Sequence, residues 1–549
     1  MNTTKCSKCN AILPPGAKFC NLCGGSTTTQ ETEGVAYQNY DTQNMGPAAN
    51  AKWQRIMNHV VTLLKKHRFA LIIAAALAIV VITVIILSRP DQYIKAEGVV
   101  FVRQAGDVVA IIPHKGTKIE IEGDLVDYQT SLDGTKAAVR IRDGADGYLL
   151  YMLDERERLI HDGIEDYWLS ASGDGIAFTI YERNLSSYEP AELRLFSKGT
   201  TKAVTMDFYQ GAAATLSPDG QTVAYVTIGG NWRDGNPAYT GMAWDGAAHE
   251  LGRNMYPLAI ADGARLIYLT RQGEQGATFH VQKKYNEDSR IKLGDDPRDV
   301  YFNTDLSQVV YESGGRTYVS LGGGERTGLS GRVYYFVMPQ GTAGFSAYGR
   351  VRVLGIKDFS NTFYVNRDDA LVNIDKKHEA QSVARSVDTA YVANDGKTIT
   401  YLRENNRLFK VNGTKRNAEP LRLTEETSTW FLSTAKGDAV FYVTEDERDD
   451  LYELRYQKGD GKSVLVTDGE IDGVSYELYK GEVLFYISDG ELFVSSGERG
   501  RRVGGFNGDV TSVQAGMFDV VVTVRDGSER AVYRSTDGVA FSEIYSYIP

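Results

Sequence analysis

One pattern, returning about every 43 residues, constrains most of this 549-residue chain. Ser217-Pro218-Asp219-Gly220 precedes Val223-Ala224-Tyr225-Val226. The same polar turn ahead of an apolar-aromatic run recurs from Ser131, Ser170, Ala261, Asn303 and Asn394, and at Lys436-Gly437 and Lys480-Gly481. Successive copies lie 39, 47, 43, 43, 90, 41 and 44 residues apart, so the 90 reads as two periods with a faded copy near Gly349. The turn chemistry has a reason: an Asp side chain hydrogen-bonds the backbone two residues on, and Gly takes the positive φ that a reversal demands. The Val, Ile, Tyr and Phe that follow each turn favour strands. A second strand with its own turn comes next, as in Arg403 to Val411 and Ser488 to Val494, so each unit contains a hairpin.

About 43 residues is the length of a four-stranded propeller blade. Weaker copies near Gly98 and Gly516 bring the expected count to ten or eleven units between Asp91 and Pro549. These form one large ring or two successive rings with a possible split near residue 335, and a count this high favours two. The fold class is therefore mainly β, in keeping with 33 Tyr, 20 Phe and 56 Gly against 13 Pro. The S-P-D-G-x-x-x-A-Y string from Ser217 to Tyr225 resembles the propeller repeats of the TolB type, also found in dipeptidyl-peptidase-like proteins. That resemblance implies a fold rather than a function. Val532 to Phe541, with Ser535-Thr536-Asp537-Gly538 at its turn, is similar to the Asp-box of sialidase-like propellers, in which the box lies away from the catalytic site.

Residues 69–87 read FALIIAAALAIVVITVIIL, an uncharged run of 19. At about 1.5 Å per residue it nearly spans the roughly 30 Å hydrocarbon core, which predicts a transmembrane helix. A signal peptide would have an apolar core of about 7 to 15 residues close to the start, whereas 68 residues precede this run. Lys65, Lys66, His67 and Arg68 crowd one flank and Arg89, soon followed by Asp91, marks the other. The positive-inside rule then places the N-terminus in the cytoplasm and the C-terminal domain outside it, in a single-pass protein of the plasma membrane. Charge divides in the same place: residues 1–89 hold nine Lys or Arg against three Asp or Glu, leaving 51 against 68 of the chain's 60 and 71. Residues 51–68 have a loosely helical spacing of Trp53, Ile56, Met57, Val60, Val61, Leu63 and Leu64, which predicts a juxtamembrane helix. Residues 26–50, rich in Thr, Gln, Gly and Asn, read as a flexible linker.

All four cysteines fall in the first 23 residues, as Cys6-x-x-Cys9 and Cys20-x-x-Cys23. Two such pairs supply the four thiolates of a tetrahedral Zn²⁺ cage, and a domain of about 25 residues needs that metal in order to fold. Two disulfides are the alternative, opposed by the reducing side on which the segment is expected. The string CSKCNAILPPGAKFCNLCGG resembles the zinc ribbon that opens many bacterial membrane proteins, with Asn10 in place of the usual first glycine. Four protein ligands leave no open position, so Cys6, Cys9, Cys20 and Cys23 point to a structural ion. Lys5, Lys8 and Lys18 make too weak a patch for nucleic acid, and a protein partner is the expected contact.

Beyond residue 90, reactive constellations are sparse. The string nearest to a nucleophile elbow is Gly344-Phe345-Ser346-Ala347-Tyr348-Gly349, with no hydrolase-sized region after the repeats. His114, His161, His249, His280 and His378 belong to different repeats. Glu445 to Asp450 and Asp295-Asp296 sit where solvated turns are expected and lack the spacing of a calcium loop. The expected function is that of a non-enzymatic membrane-anchored binding, scaffold or sensor protein. Its propeller would bind a protein, peptide or glycan outside, and its ribbon would meet a partner inside. A propeller-centre hydrolase acting on envelope glycan or ester, and an envelope assembly factor, are the alternatives.

Overall fold

The computed structural model describes residues 92–96 and most of 101–548, together with 4–5 and 12–13 near the start. The chain divides into two units, residues 1–90 and 91–549. In the first, Thr4–Lys5 pairs antiparallel with Ile12–Leu13, and the first cysteine pair lies between these strands in sequence. Cys6, Cys9, Cys20 and Cys23, and the expected membrane span at 69–87, lie outside the described residues. Among the described residues no helix is long and apolar enough to cross a membrane.

The second unit is mainly β, and its only helices among the described residues are two single 3₁₀ turns, Asp262–Ala264 and Glu287–Ser289. Its strands form up-and-down antiparallel meanders, which we number sheets 1 to 11. Sheet 1, at 101–122, has three strands among the described residues. The others have four: sheets 2 (124–169), 3 (157–209), 4 (215–253), 5 (255–295), 6 (298–328), 7 (333–384), 8 (387–422), 9 (428–468), 10 (476–502) and 11 (509–547). Sheets 2 to 4 are hydrogen-bonded into one because their joining strands are long. Glu157–Leu169 pairs with Tyr148–Leu153 through its first half and with Gly175–Ile180 through its second, closing one sheet and opening the next.

Successive sheets share cores all the way round. The alternation of a strand explains how one sheet serves two neighbours, because adjacent side chains face opposite ways. In Val108–Ile112, Val109 and Ile111 pack on Ala137, Val139 and Ile141 of sheet 2, while Ala110 and Ile112 pack on Val521, Val532 and Tyr545 of sheet 11. The first sheet thus meets the last, and among the described residues no strand is exchanged at the join. Face-to-face four-stranded meanders in a closed circuit are the arrangement of a β-propeller. The position near 335, where a division between two rings was expected, falls within Val333–Val337, the first strand of sheet 7.

An aromatic within the second strand of each of sheets 3 to 10 explains the period. These are Phe178, Tyr225, Tyr268, Tyr311, Tyr364, Tyr401, Tyr442 and Tyr486, and all are fully buried. Each fills the gap between neighbouring sheets, where an aromatic ring removes about 150–250 Å² from water. These positions correct one expectation. The faded copy is not near Gly349 but at Asp358-Phe359-Ser360-Asn361, leading to Tyr364. It is displaced because a hairpin, Gly344–Ala347 with Val351–Leu354, is inserted between the first and second strands of sheet 7.

The turns between first and second strands form a belt. In sheet 4, Asp219 Oδ1 accepts from Ser217 Oγ at 2.6 Å and from the Gln221 amide at 3.1 Å, and Ser217 Oγ accepts the Thr222 amide at 3.0 Å. Each turn also reaches its neighbour: Leu132 N donates to Ala171 O (2.7 Å), Ser172 N to Pro218 O (3.0 Å) and Asp219 N to Asp262 Oδ1 (2.9 Å). The same reach recurs from Asn394 N to Ala435 O (2.7 Å) and from Lys480 N to Gly516 O (3.0 Å). Asp and Ser therefore serve twice, within the turn and in tying sheets together.

Candidate functional site

The inserted hairpin crosses the interior of the ring. Val351–Leu354 lies parallel to the first strand of sheet 6, with Val300 opposite Val351 and Phe302 opposite Val353. At the other end of the insertion, a side chain at Gly341 would meet the Met517 side chain of sheet 11 at 2.8 Å. Sheets 6 and 11 are far apart in the circuit, so a segment touching both spans the middle.

A second segment joins it. Residues 92–96 follow the expected membrane span, and Tyr93 and Lys95 form antiparallel bridges with Ile356 and Thr342. Ile94 N donates to Gly355 O (2.7 Å), Ala343 N to Ile94 O (2.8 Å) and Ala96 N to Gly341 O (2.6 Å). The Tyr93 ring is buried with the core of sheets 6 and 7, and burial raises its phenol pKa far above the usual tyrosine range. Gln92 Nε2 reaches Ser360 O at 2.5 Å.

Two cavities flank this partition. One, of about 520 Å³, lies between the insertion and the first strands of sheets 8 to 11. Tyr391, Trp430, Leu432, Glu477, Leu478 and Met517 line it, with Gln340 and Gly341 contributed by the insertion. Glu477 is exposed at the cavity, whereas Leu478, which also lines it, and Tyr479 are buried in the packing between sheets. Desolvation raises the Glu477 carboxyl above the ordinary glutamate value. Burial and then the Glu477 charge raise the Tyr391 phenol. A shallower hollow lined by Tyr334, Tyr335 and Asp388 adjoins the cavity through Tyr391 and Gly341. The other cavity, of about 550 Å³, lies on the far side of the insertion against sheets 4 to 6 and is lined by Tyr256, Pro257, Leu258, Val300 and Val351.

The described histidines are not brought together. His161 contacts the Phe178 ring at 5.4 Å, and His249 stacks on Tyr285 at 3.7 Å and meets Asp245 at 3.0 Å. Thr278 bonds His280 at 2.8 Å, and burial followed by the charge of Arg290 lowers the His280 pKa. His378 lies 3.3 Å from Asp358, whose own carboxyl this hydrogen bond holds far below the usual range. His114 is outside the described residues. Asp295 pairs with Lys292 (2.6 Å) and Asp296 with Arg298 (2.8 Å). Ser346 sits in the inserted hairpin opposite Arg352, rather than at a strand-to-helix elbow. Among the described residues no group of three or more His, Cys, Asp or Glu is placed to hold a metal ion. The Asp-box-like turn joins the third and fourth strands of sheet 11, where Asp537 Oδ1 accepts from the amides of Val539 and Ala540 at 2.8 and 2.9 Å.

Sequence reasoning missed the cavity because its lining comes from several repeats and from the insertion. The one available signal was Glu477, an acid in a strand whose neighbours Leu478 and Tyr479 are apolar.

No family model matches the chain, and no curated protein matches it. Among solved structures it is similar to the tricorn protease, at 11% identity over 83% of this chain and 58% of that one, with a TM-score of 0.27. It therefore spans little more than half of that protein. It is also similar to a eukaryotic initiation factor, at 9% identity over 67% of this chain and 97% of the other, with a TM-score of 0.38. TolB from Acinetobacter baumannii is similar at 15% identity over 41% and 62%, with a TM-score of 0.24.

Proposed function

We propose that this chain is a single-pass membrane-anchored binding protein. Its ring takes a protein, peptide or glycan ligand outside the cytoplasm, and its N-terminal zinc ribbon, built on Cys6, Cys9, Cys20 and Cys23 around a structural Zn²⁺, meets a protein partner inside. The observation that carries the reading is the lining of the 520 Å³ cavity: Tyr391, Trp430, Leu432, Leu478 and Met517 together with the Glu477 carboxylate and Gln340, continuous with exposed Tyr334. Binding sites combine a largely apolar wall with a few polar groups that fix orientation. The anchor has a physical route to that wall, since residues 92–96 are hydrogen-bonded to the insertion that supplies Gln340 and Gly341. Transmission across the membrane would still need a bistable element, and one helix alone does not provide it.

The test is photo-crosslinking in intact membranes from a benzophenone amino acid placed at Trp430. A second probe at Tyr452, an exposed position on the third strand of sheet 9, is the control. Discrete adducts from 430 and none from 452 are expected. Equal adducts from both, or none from either, would remove the cavity as the binding site.

A further inference from the structure

The cavity against sheets 8 to 11 holds a negative charge with no visible counterpart. Among the residues that line it, Glu477 and Tyr391 are the ionisable ones, and no Lys or Arg is present. Among the described residues no hydrogen bond or ion pair engages the Glu477 carboxylate. Glu453 and Glu491, on the third strands of sheets 9 and 10, pair with Arg455 at 2.7 Å and Arg502 at 2.7 Å. Glu477 is exposed at the cavity, so its carboxylate is placed to accept charge-assisted hydrogen bonds from a ligand there. Trp430 and Tyr391 line the same cavity, and aromatic rings attract cations, while Leu432 and Met517 supply apolar wall. The insertion closes the remaining side with Gln340 and the Gly341 backbone.

We propose that this cavity recognises an organic cation, an amine whose ammonium meets Glu477 between the rings of Trp430 and Tyr391. The inference rests on the reading of the cavity as the binding site and narrows its ligand to one chemistry. That chemistry has two sources, a free polyamine and a lysine side chain of a peptide. An ammonium donates to the carboxylate, and its methylenes lie along Leu432 and Met517.

The experiment is calorimetric titration of the full chain in detergent with three probes: spermidine, the peptide Ala-Lys-Ala, and the same peptide acetylated on its lysine Nε and at its N-terminus. The two amine probes separate the sources: spermidine binding alone assigns a free polyamine, and Ala-Lys-Ala binding alone a peptide. At least one of them is expected to bind, with the acetylated peptide at least about tenfold weaker, the loss of one charge-assisted hydrogen bond. That comparison is made on the unaltered protein and does not depend on a variant folding. Glu477→Gln is expected to weaken the amine probes by a similar factor and to leave the thermal unfolding midpoint at neutral pH the same or higher. Equal binding of the free and acetylated peptides, an unchanged affinity in Glu477→Gln, or no binding of either amine overturns the proposal. Equal binding that disappears in Trp430→Ala removes the cation and leaves the cavity as the binding site. Silence here together with no adducts from position 430 ends both readings.

Discussion

Gly175 and Gly220 belong to the turns of sheets 3 and 4, and their backbones touch. A Cβ on Gly175 would overlap the Gly220 carbonyl and lie 2.5 Å from its Cα, and the obstruction is backbone that cannot swing aside. Gly175 has no positive φ, so Gly175→Ala isolates the steric term, about 1–3 kcal/mol for overpacking a site that cannot relax. Gly220 has φ +67 and a Cβ there would meet Gly175 Cα at 2.6 Å and Ser170 Oγ at 2.9 Å. Gly220→Ala adds the left-handed penalty of about 1–2 kcal/mol to the same overlap, for roughly 2–5 kcal/mol. Gly328→Ala is the control, with ordinary φ and open space around it. A ring of eleven sheets need not unfold in one step, so the assay is native-state hydrogen exchange at the amides that cross this belt, Leu132 and Ser172. Gly175→Ala should speed their exchange about 5- to 150-fold, tenfold per about 1.4 kcal/mol, and Gly220→Ala more. Exchange in Gly175→Ala within twofold of Gly328→Ala would refute the claim that close approach of turns holds neighbouring sheets together.

Arg534 pairs with Asp519 at 2.8 Å inside sheet 11, and both are nearly inaccessible. Arg534→Met should lower stability by about 3–5 kcal/mol, with much of the loss recovered in Arg534→Met/Asp519→Leu, as thermal unfolding would register; equal losses in the two would contradict an unpaired-charge cost. Asp537 is exposed, yet the backbone amides of Ala540 and Val539 hold its pKa down to about 2. A depressed carboxyl contributes stability above its unfolded value of 3.8 and loses it as pH falls toward 2, so the 535–540 turn should loosen over that window in wild type and not in Asp537→Asn, by amide exchange. Tyr268 is fully buried and donates to Leu306 O at 3.1 Å. Tyr268→Phe should cost about 1–3 kcal/mol for the carbonyl left behind, and an unchanged midpoint would show that the hydroxyl is dispensable. Elemental analysis of the purified chain should find one zinc, lost in Cys6→Ser; two disulfides by mass spectrometry, with no metal, would reverse the assignment.

The period was legible because it is enforced locally and repeatedly. Asp or Gly recurs in the turns, and a buried Tyr or Phe on the second strand of sheets 3 to 10 fills a gap between sheets, so the chain carries the same signal at Phe178, Tyr225, Tyr268 and onward. The weak copy near Gly516 falls in the turn between the first two strands of sheet 11, and Gly98 lies outside the described residues. The joints were not legible, because ring closure depends on which face of Val108–Ile112 meets which sheet, and both faces are equally apolar in sequence. The misplaced copy near Gly349 has the same origin. Gly344–Ala347 and Val351–Leu354 are strand-like by composition, and only pairing with sheet 6 shows that they belong to no blade. Glu477 could be read as a polar residue in an apolar strand, but its isolation from any Lys or Arg is a property of sheets 8 to 11 together.

The insertion follows from the size of the ring. Small rings are filled by the side chains of their inner strands, and the space they enclose widens with each added sheet. Eleven sheets enclose more than inner side chains can fill, and an empty interior would leave apolar inner strands such as Val333–Val337 facing water. The hairpin and residues 92–96 occupy that space and divide it into two cavities, each walled on one side by repeats and on the other by non-repeating chain. The repeats can therefore stay alike under the demands of packing, while the partition between the cavities is free of the blade pattern. A ligand in the cavity of Glu477 would press on Gly341, whose carbonyl accepts the amide of Ala96. The segment that leads toward the expected membrane span is thus one hydrogen bond from the cavity wall, and substitutions at Gln340 or Gly341 should alter binding and the amide exchange of Ala96 together.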